Sequence, residues 1–131
     1  MRKLIIGLAS VAILGGFAAT QLAAQDKKES KTVQGELVDM HCFSAKGLKG
    51  EKHAGCGTKC MSTGIPAGVV VDGKAWTLTT NPIPLAEHAS KIIRVTGTQN
   101  ADAQTIVPEK IEVQDAGNWK DVPMKDQHHQ S

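Results

Sequence analysis

A small, mainly β domain is the fold class this sequence predicts: an OB-like, five-stranded antiparallel barrel with a Cys/His-rich helical or loop insertion. Three observations predict it. Short β-rich runs recur between residues 33 and 113, an Asp72-Gly73 pair separates two of them, and one short helical segment falls between the third and fourth. Length agrees, since 131 residues allow one domain and fall far short of the roughly 250 of an α/β-barrel. A small sandwich is the alternative architecture.

The elements follow in chain order. Met1-Arg2-Lys3 is a basic start, Leu4 to Ala19 is apolar, and Gln21-Leu-Ala-Ala24 ends on small residues before a charged stretch at 25–31. That order is the pattern of a secretory signal cleaved after Ala24. The apolar run is also shorter than the ~20 residues of a spanning helix, so the cleaved product is expected to be exported, periplasmic or secreted, and not membrane-spanning. Residues 25–31 read as a disordered leader. The β domain then covers 32–118, with its insertion at 41–67, and 119–131 reads as a flexible tail.

Val33 to Met40 is a first strand in which Gly35 marks a bend or bulge. Gly68 to Val71 and Lys74 to Thr79 form a two-residue hairpin around Asp72-Gly73, because that turn needs positive φ at both central positions. Pro84 to Ser90 follows Asn81-Pro82 and reads as a short helix. Lys91 to Thr98 is the fourth strand. Thr105 to Val113 is the fifth, with Pro108 suiting an edge or a bulge. A further helix is possible over 51–63, where Gly55 and Gly57 weaken it by roughly 1 kcal/mol each.

Composition excludes several functions. Arg2 and Lys3 are the only charged side chains in residues 1–24, so the rest of the chain carries 13 basic and 13 acidic residues and no net charge. Aromatic residues are 3% of the chain, with no tyrosine, which leaves little for stacking bases. No P-loop, dinucleotide fingerprint or Gly-x-Ser-x-Gly elbow occurs, so neither nucleic acid nor nucleotide is an expected partner. No Ser/His/Asp set or carboxylate pair at a defined spacing is present, and the sequence does not point to an enzyme. Trp76 on the hairpin reads as core, His88 as a surface or cap residue, and His128-His129 as part of the tail.

Cysteine usage is the informative feature. Cys42, Cys56 and Cys60 are the only three and lie within 19 residues, so an odd sulfur remains whichever pair is bridged. Met40, His41, His53 and Met61 stand beside them. Thiolates and thioethers are soft donors suited to Cu(I) or Zn(II), and imidazole suits both. Cys42, His53, Cys56 and Cys60 would supply three thiolates and one imidazole, a known zinc stoichiometry, with His41, Met40 and Met61 as secondary candidates. Helix geometry constrains this set. On a continuous helix over 51–63, His53 and Cys60 stand about 10 Å apart along the axis. A single four-ligand site then requires a break at Gly55-Cys-Gly57. Asp39 can serve as a turn residue or can hydrogen-bond a ligating histidine. Cys-x-x-Cys-His, which attaches c-type haem, is absent. The alternative function is a disulfide-stapled interaction module or accessory subunit of an exported redox complex, without metal.

The combined pattern Gly35-x3-Asp39-x2-Cys42, Gly47-x2-Gly50-x2-His53-x2-Cys56-x3-Cys60 and Gly64-Ile-Pro66-Ala-Gly68 resembles a group of small exported bacterial proteins. These pair a Cys/His-rich insertion with a short β-barrel. The resemblance covers roughly residues 33–98 and implies export and a shared fold, and it assigns no activity. In fold alone the chain is also similar to periplasmic copper and silver chaperones with OB-type barrels, whose ligand set it does not visibly reproduce.

Overall fold

The computed structural model describes residues 29–124. The signal pattern at 1–24, and His128-His129, lie outside them. Strand β1 (Ser30–Asp39) leads into helix α1 (Met40–Lys46), a 3-10 turn at Glu51–His53 and helix α2 (Ala54–Ser62). Strands β2 (Ala67–Val71) and β3 (Lys74–Leu78), a 3-10 segment at Ile83–His88, and strands β4 (Ile92–Asn100), β5 (Thr105–Asp115) and β6 (Asn118–Asp121) complete the chain.

The first strand organises the barrel because it is long enough to pair on both edges. Its first part, Ser30 to Glu36, runs antiparallel to β4, and Glu36 to Asp39 pairs with β2. Gly35 stands at this changeover, and the space a Cβ would need there is taken by the Val70 carbonyl. The predicted bend is therefore a point of close backbone approach. Asp72 and Gly73 both have positive φ, 49° and 78°, as the two-residue hairpin requires. Opposite Pro108, the β4–β5 ladder shifts register between Thr96 and Gly97.

The barrel closes where β3 meets β5, through Thr77–Thr105 and Leu78–Ile106, and this seam is parallel. The barrel thus has five strands as predicted, but it is mixed and not wholly antiparallel. A parallel seam arises because β4 separates β3 from β5 in sequence and reverses the chain between them. A sixth strand extends the sheet. Ala116 and Gly117 turn the chain with φ of 48° and 81°, and β6 pairs with β5. The segment from Trp119, expected to trail off, therefore begins as strand, and Val122 is buried beneath it. At the other end, Ser30 and Lys31 of the expected leader already belong to β1.

The interior is aliphatic, as the scarcity of aromatics demands. Leu37, Val69, Leu78, Ile93, Val95, Ile106 and Ile111 fill it from the five barrel strands. Met61 of α2 and Leu85 of the 3-10 segment cap it. Trp76 packs against this core while remaining half-buried.

On the outer face, the Glu112 carboxylate receives Arg94 Nε at 2.8 Å and Lys110 Nζ at 3.0 Å, and the Arg94 guanidinium lies 4.4 Å from the Trp119 ring centroid. Arg94 first and Lys110 second lower the Glu112 pKa from 4.5 to about 2. Because the folded-state value is the lower one, the stabilisation is complete above pH 4.5 and is lost as the pH falls toward 2. Glu112→Gln is expected to remove that part of the acid dependence. Urea midpoints of the two proteins compared between pH 5 and pH 2 test this, and parallel curves would exclude it.

Candidate metal centre

The insertion between β1 and β2 is built around one buried carboxylate. Asp39 ends β1 and is fully buried. Its Oδ1 accepts the Cys42 backbone N–H at 2.8 Å, which caps α1, and its Oδ2 bonds His53 Nε2 at 2.8 Å. Asp-x-x-Cys is therefore an N-cap pattern, and Cys42 stands in the first turn of a helix instead of trailing a strand. Burial alone would raise the Asp39 pKa, but the Cys42 N–H and the His53 ring outweigh it and hold the carboxyl below its ordinary value. A ring that donates Nε2–H to this carboxylate and carries no second proton has its lone pair on Nδ1. Both roles weighed for Asp39, turn and histidine support, are filled at once by its two oxygens.

The stretch around His53 is tied to the barrel. Gly50 N–H donates to Glu36 Oε1, Ser90 Oγ donates to the Gly50 carbonyl at 2.8 Å, and His53 N–H donates to the same carbonyl at 2.9 Å. Helix α2 packs on the 3-10 segment at Ile83–His88 through Gly57. A Cβ at Gly57 would lie 3.2 Å from Ala89 Cβ, 3.7 Å from Asp39 Oδ2 and 3.9 Å from His53 Cδ2. A glycine here lets the helix come close enough for its cysteines to reach Cys42.

The result is a cluster of donors in two overlapping groups. Cys42, His53 and Cys56 each offer a ligand atom within 4.8 Å of the others, and so do Asp39, Cys42 and Cys60. Cys42 is common to both. Its Sγ lies 4.0 Å from that of Cys56, and all three thiols are free. Two sulfurs on one tetrahedral zinc are about 3.8 Å apart, given Zn–S bonds of about 2.3 Å, so the pair already stands near bonding separation. The single four-ligand set read from the sequence is thus divided. The chain does change path, but at His53, where the 3-10 turn meets α2, and not at Gly55-Cys-Gly57, which lies inside the helix. Rise along α2 keeps His53 and Cys60 in separate groups.

The secondary candidates are placed elsewhere. Met61 is fully buried in the core, the Met40 sulfur packs over Gly68, and His41 is exposed and outside both groups. His88 is half-buried in the 3-10 segment, with its Nδ1 lacking a hydrogen-bond partner among the described residues.

Exposure within the cluster is graded. Cys56 is exposed, Cys42 and Cys60 are half-buried, and His53 and Asp39 are buried. Burial first, then the Asp39 and Cys56 side chains, pushes the Cys42 thiol up to about 12, and burial raises Cys60 as well. Without a cation these two sulfurs remain thiols, whereas a coordinated metal ion removes such protons outright.

Fold and site together define a small closed β-barrel bearing a Cys/His cluster able to hold a metal ion on its first inter-strand insertion. Compared with family models, with curated proteins and with solved structures, the chain matches none. Among the described residues no helix is long and apolar enough to cross a membrane.

Proposed function

We propose that the protein binds a soft metal ion, Zn(II) or Cu(I), through Cys42, Cys56 and His53, with Cys60 as the fourth donor. The observation that carries this reading is the overlap of two donor groups at Cys42, one with His53 and Cys56 and the other with Asp39 and Cys60, while Asp39 also hydrogen-bonds the His53 ring. Carboxylate–histidine–metal arrangements of this kind fix the tautomer and raise ligand basicity. Each Asp39 oxygen already makes one hydrogen bond, so the carboxylate takes the supporting part and the thiols and imidazole the ligating one. Bound metal would join α1 to α2 across the mouth of the insertion, and exposed Cys56 leaves that mouth open to exchange. The chain acts in this proposal as an exported metal-handling protein, export being supported by the composition of residues 1–24 and by the resemblance to small exported proteins.

The test is titration of reduced protein with Zn(II) and Cu(I) against a competing chelator, with metal counted per chain. One equivalent is expected, together with loss of two or three alkylatable thiols in the loaded protein. Fully alkylatable thiols in metal-saturated solution would exclude the proposal.

A further inference from the structure

The same cluster carries a second chemistry, and this inference rests in part on the metal reading above. We infer that the reduced, metal-free protein undergoes thiol–disulfide exchange with small anionic disulfides, Cys56 being the attacking sulfur and Cys42 the resolving one.

Geometry selects the pair. Cys56 is the exposed thiol, and Cys42 Sγ stands 4.0 Å from it, on a different helix. A closure of about 2 Å reaches the S–S bond length of about 2.05 Å. The other bridge open to Cys56, to Cys60, would join consecutive turns of the unbroken α2, where i, i+4 spacing lies near the upper Cα–Cα limit of about 6.8 Å.

Charge selects the substrate class. Residues 40–66 contain Lys46, Lys49, Lys52 and Lys59 against Glu51, with the buried Asp39 carboxylate at their base, and all four lysines are exposed. On the observed helices, Lys46 is four residues beyond Cys42 and Lys59 three beyond Cys56, so each stands one turn from a reacting sulfur. The rest of the described chain is acidic on balance, with 6 basic residues (Lys31, Lys74, Lys91, Arg94, Lys110, Lys120) against 10 acidic ones. An anionic disulfide is thereby drawn to the insertion in preference to the barrel.

The reaction balances as follows for oxidised glutathione. The Cys56 thiolate attacks one sulfur of the disulfide, breaks its S–S bond and expels one glutathione thiolate. Cys42, which is a thiol at rest, gives up its proton as its sulfur attacks Cys56 Sγ, breaks the mixed bond, forms the Cys42–Cys56 bond and expels the second glutathione, which takes up a proton from solvent. Two electrons pass from the protein to the oxidant, and the two thiol protons end, through solvent, on the two released glutathiones. The bridge consumes two donors of the metal group, so bridge and metal exclude one another.

The experiment treats metal-free reduced protein with oxidised glutathione, an anionic disulfide, or with cystamine, a cationic one. Peptide mapping follows the bond and mass spectrometry the rate. A Cys42–Cys56 bridge with one remaining thiol is expected, formed at least severalfold faster with oxidised glutathione at low salt, the preference shrinking at high salt and in Lys46→Gln/Lys59→Gln. Cys60→Ser should still form the bridge, and Cys42→Ser should stop at the mixed disulfide on Cys56. A Cys56–Cys60 bridge, or equal rates with both disulfides at low salt, would overturn the inference. A zinc-loaded arm keeps the two readings apart: protection by zinc supports their mutual exclusion. Reaction as fast with zinc as without it removes the metal reading and leaves the exchange chemistry to be judged on the metal-free arm.

Discussion

Cys42→Ser is expected to lower metal affinity by about two to three orders of magnitude, more than any other single cysteine substitution. The reason is its membership of both donor groups, whereas Cys56 and Cys60 each belong to one. Structural zinc sites bind with about 10–16 kcal/mol, so one donor in four accounts for about 2.5–4 kcal/mol, and tenfold in affinity is about 1.4 kcal/mol. The barrel should survive, because none of its strand pairs involves residue 42. In the presence of zinc, limited proteolysis should find residues 43–67 more readily cut in the variant while the Asp72-Gly73 hairpin stays protected. Chelator competition on Cys42→Ser and Cys60→Ser side by side provides the check. Equal losses in the two variants would mean that Cys42 is not the shared donor.

Asp39→Ala is expected to destabilise the fold by about 2–4 kcal/mol. An N-cap is worth about 1 kcal/mol, and a buried ring nitrogen left without a partner costs about 1–3 kcal/mol. Metal affinity should fall by about 10–100-fold as well, the usual effect of removing a carboxylate behind a ligating histidine. Asp39→Asn separates the two roles. Its amide oxygen can still cap α1, and its NH2 then faces His53 Nε2, which turns that nitrogen into the acceptor and moves the ring proton to Nδ1. Stability should be largely kept in this variant while affinity drops as in the alanine variant. Urea denaturation and zinc competition on both proteins decide the matter, and an asparagine variant with unimpaired affinity would show that the carboxylate only caps the helix.

Much of the barrel was legible because its signals are local. Asp72-Gly73 adopts its turn through the φ preferences of two adjacent residues, and Pro108 disturbs a ladder through its missing N–H. Strand β6 was not legible. It has four residues, none of them fully buried, and it exists because β5 runs on to Asp115 and offers a free edge. The parallel closure of β3 on β5 was equally hidden, being a pairing between residues 28 positions apart that no neighbouring residue encodes.

For the site, the sequence by itself determined the stock of chemistry: three thiols, an imidazole and a carboxylate between Asp39 and Cys60, in an order that admits a soft metal. The N-cap at Asp39 is just as local, depending only on the next three residues, yet the β-rich run before it made the segment read as strand and Asp39 as a turn. Tertiary structure alone decided which donors meet. His53 reaches Cys42 because Glu36 of β1 and Ser90, just before β4, hold Gly50, and Cys56 reaches it because Gly57 lets α2 settle on Ala89. Those anchors lie up to 40 residues from the groups they position, and their effect is one of close packing between separate elements. Residue type and spacing specify the ligands' chemistry, whereas a separation of a few ångströms between side chains on two helices is set by the body on which both helices rest.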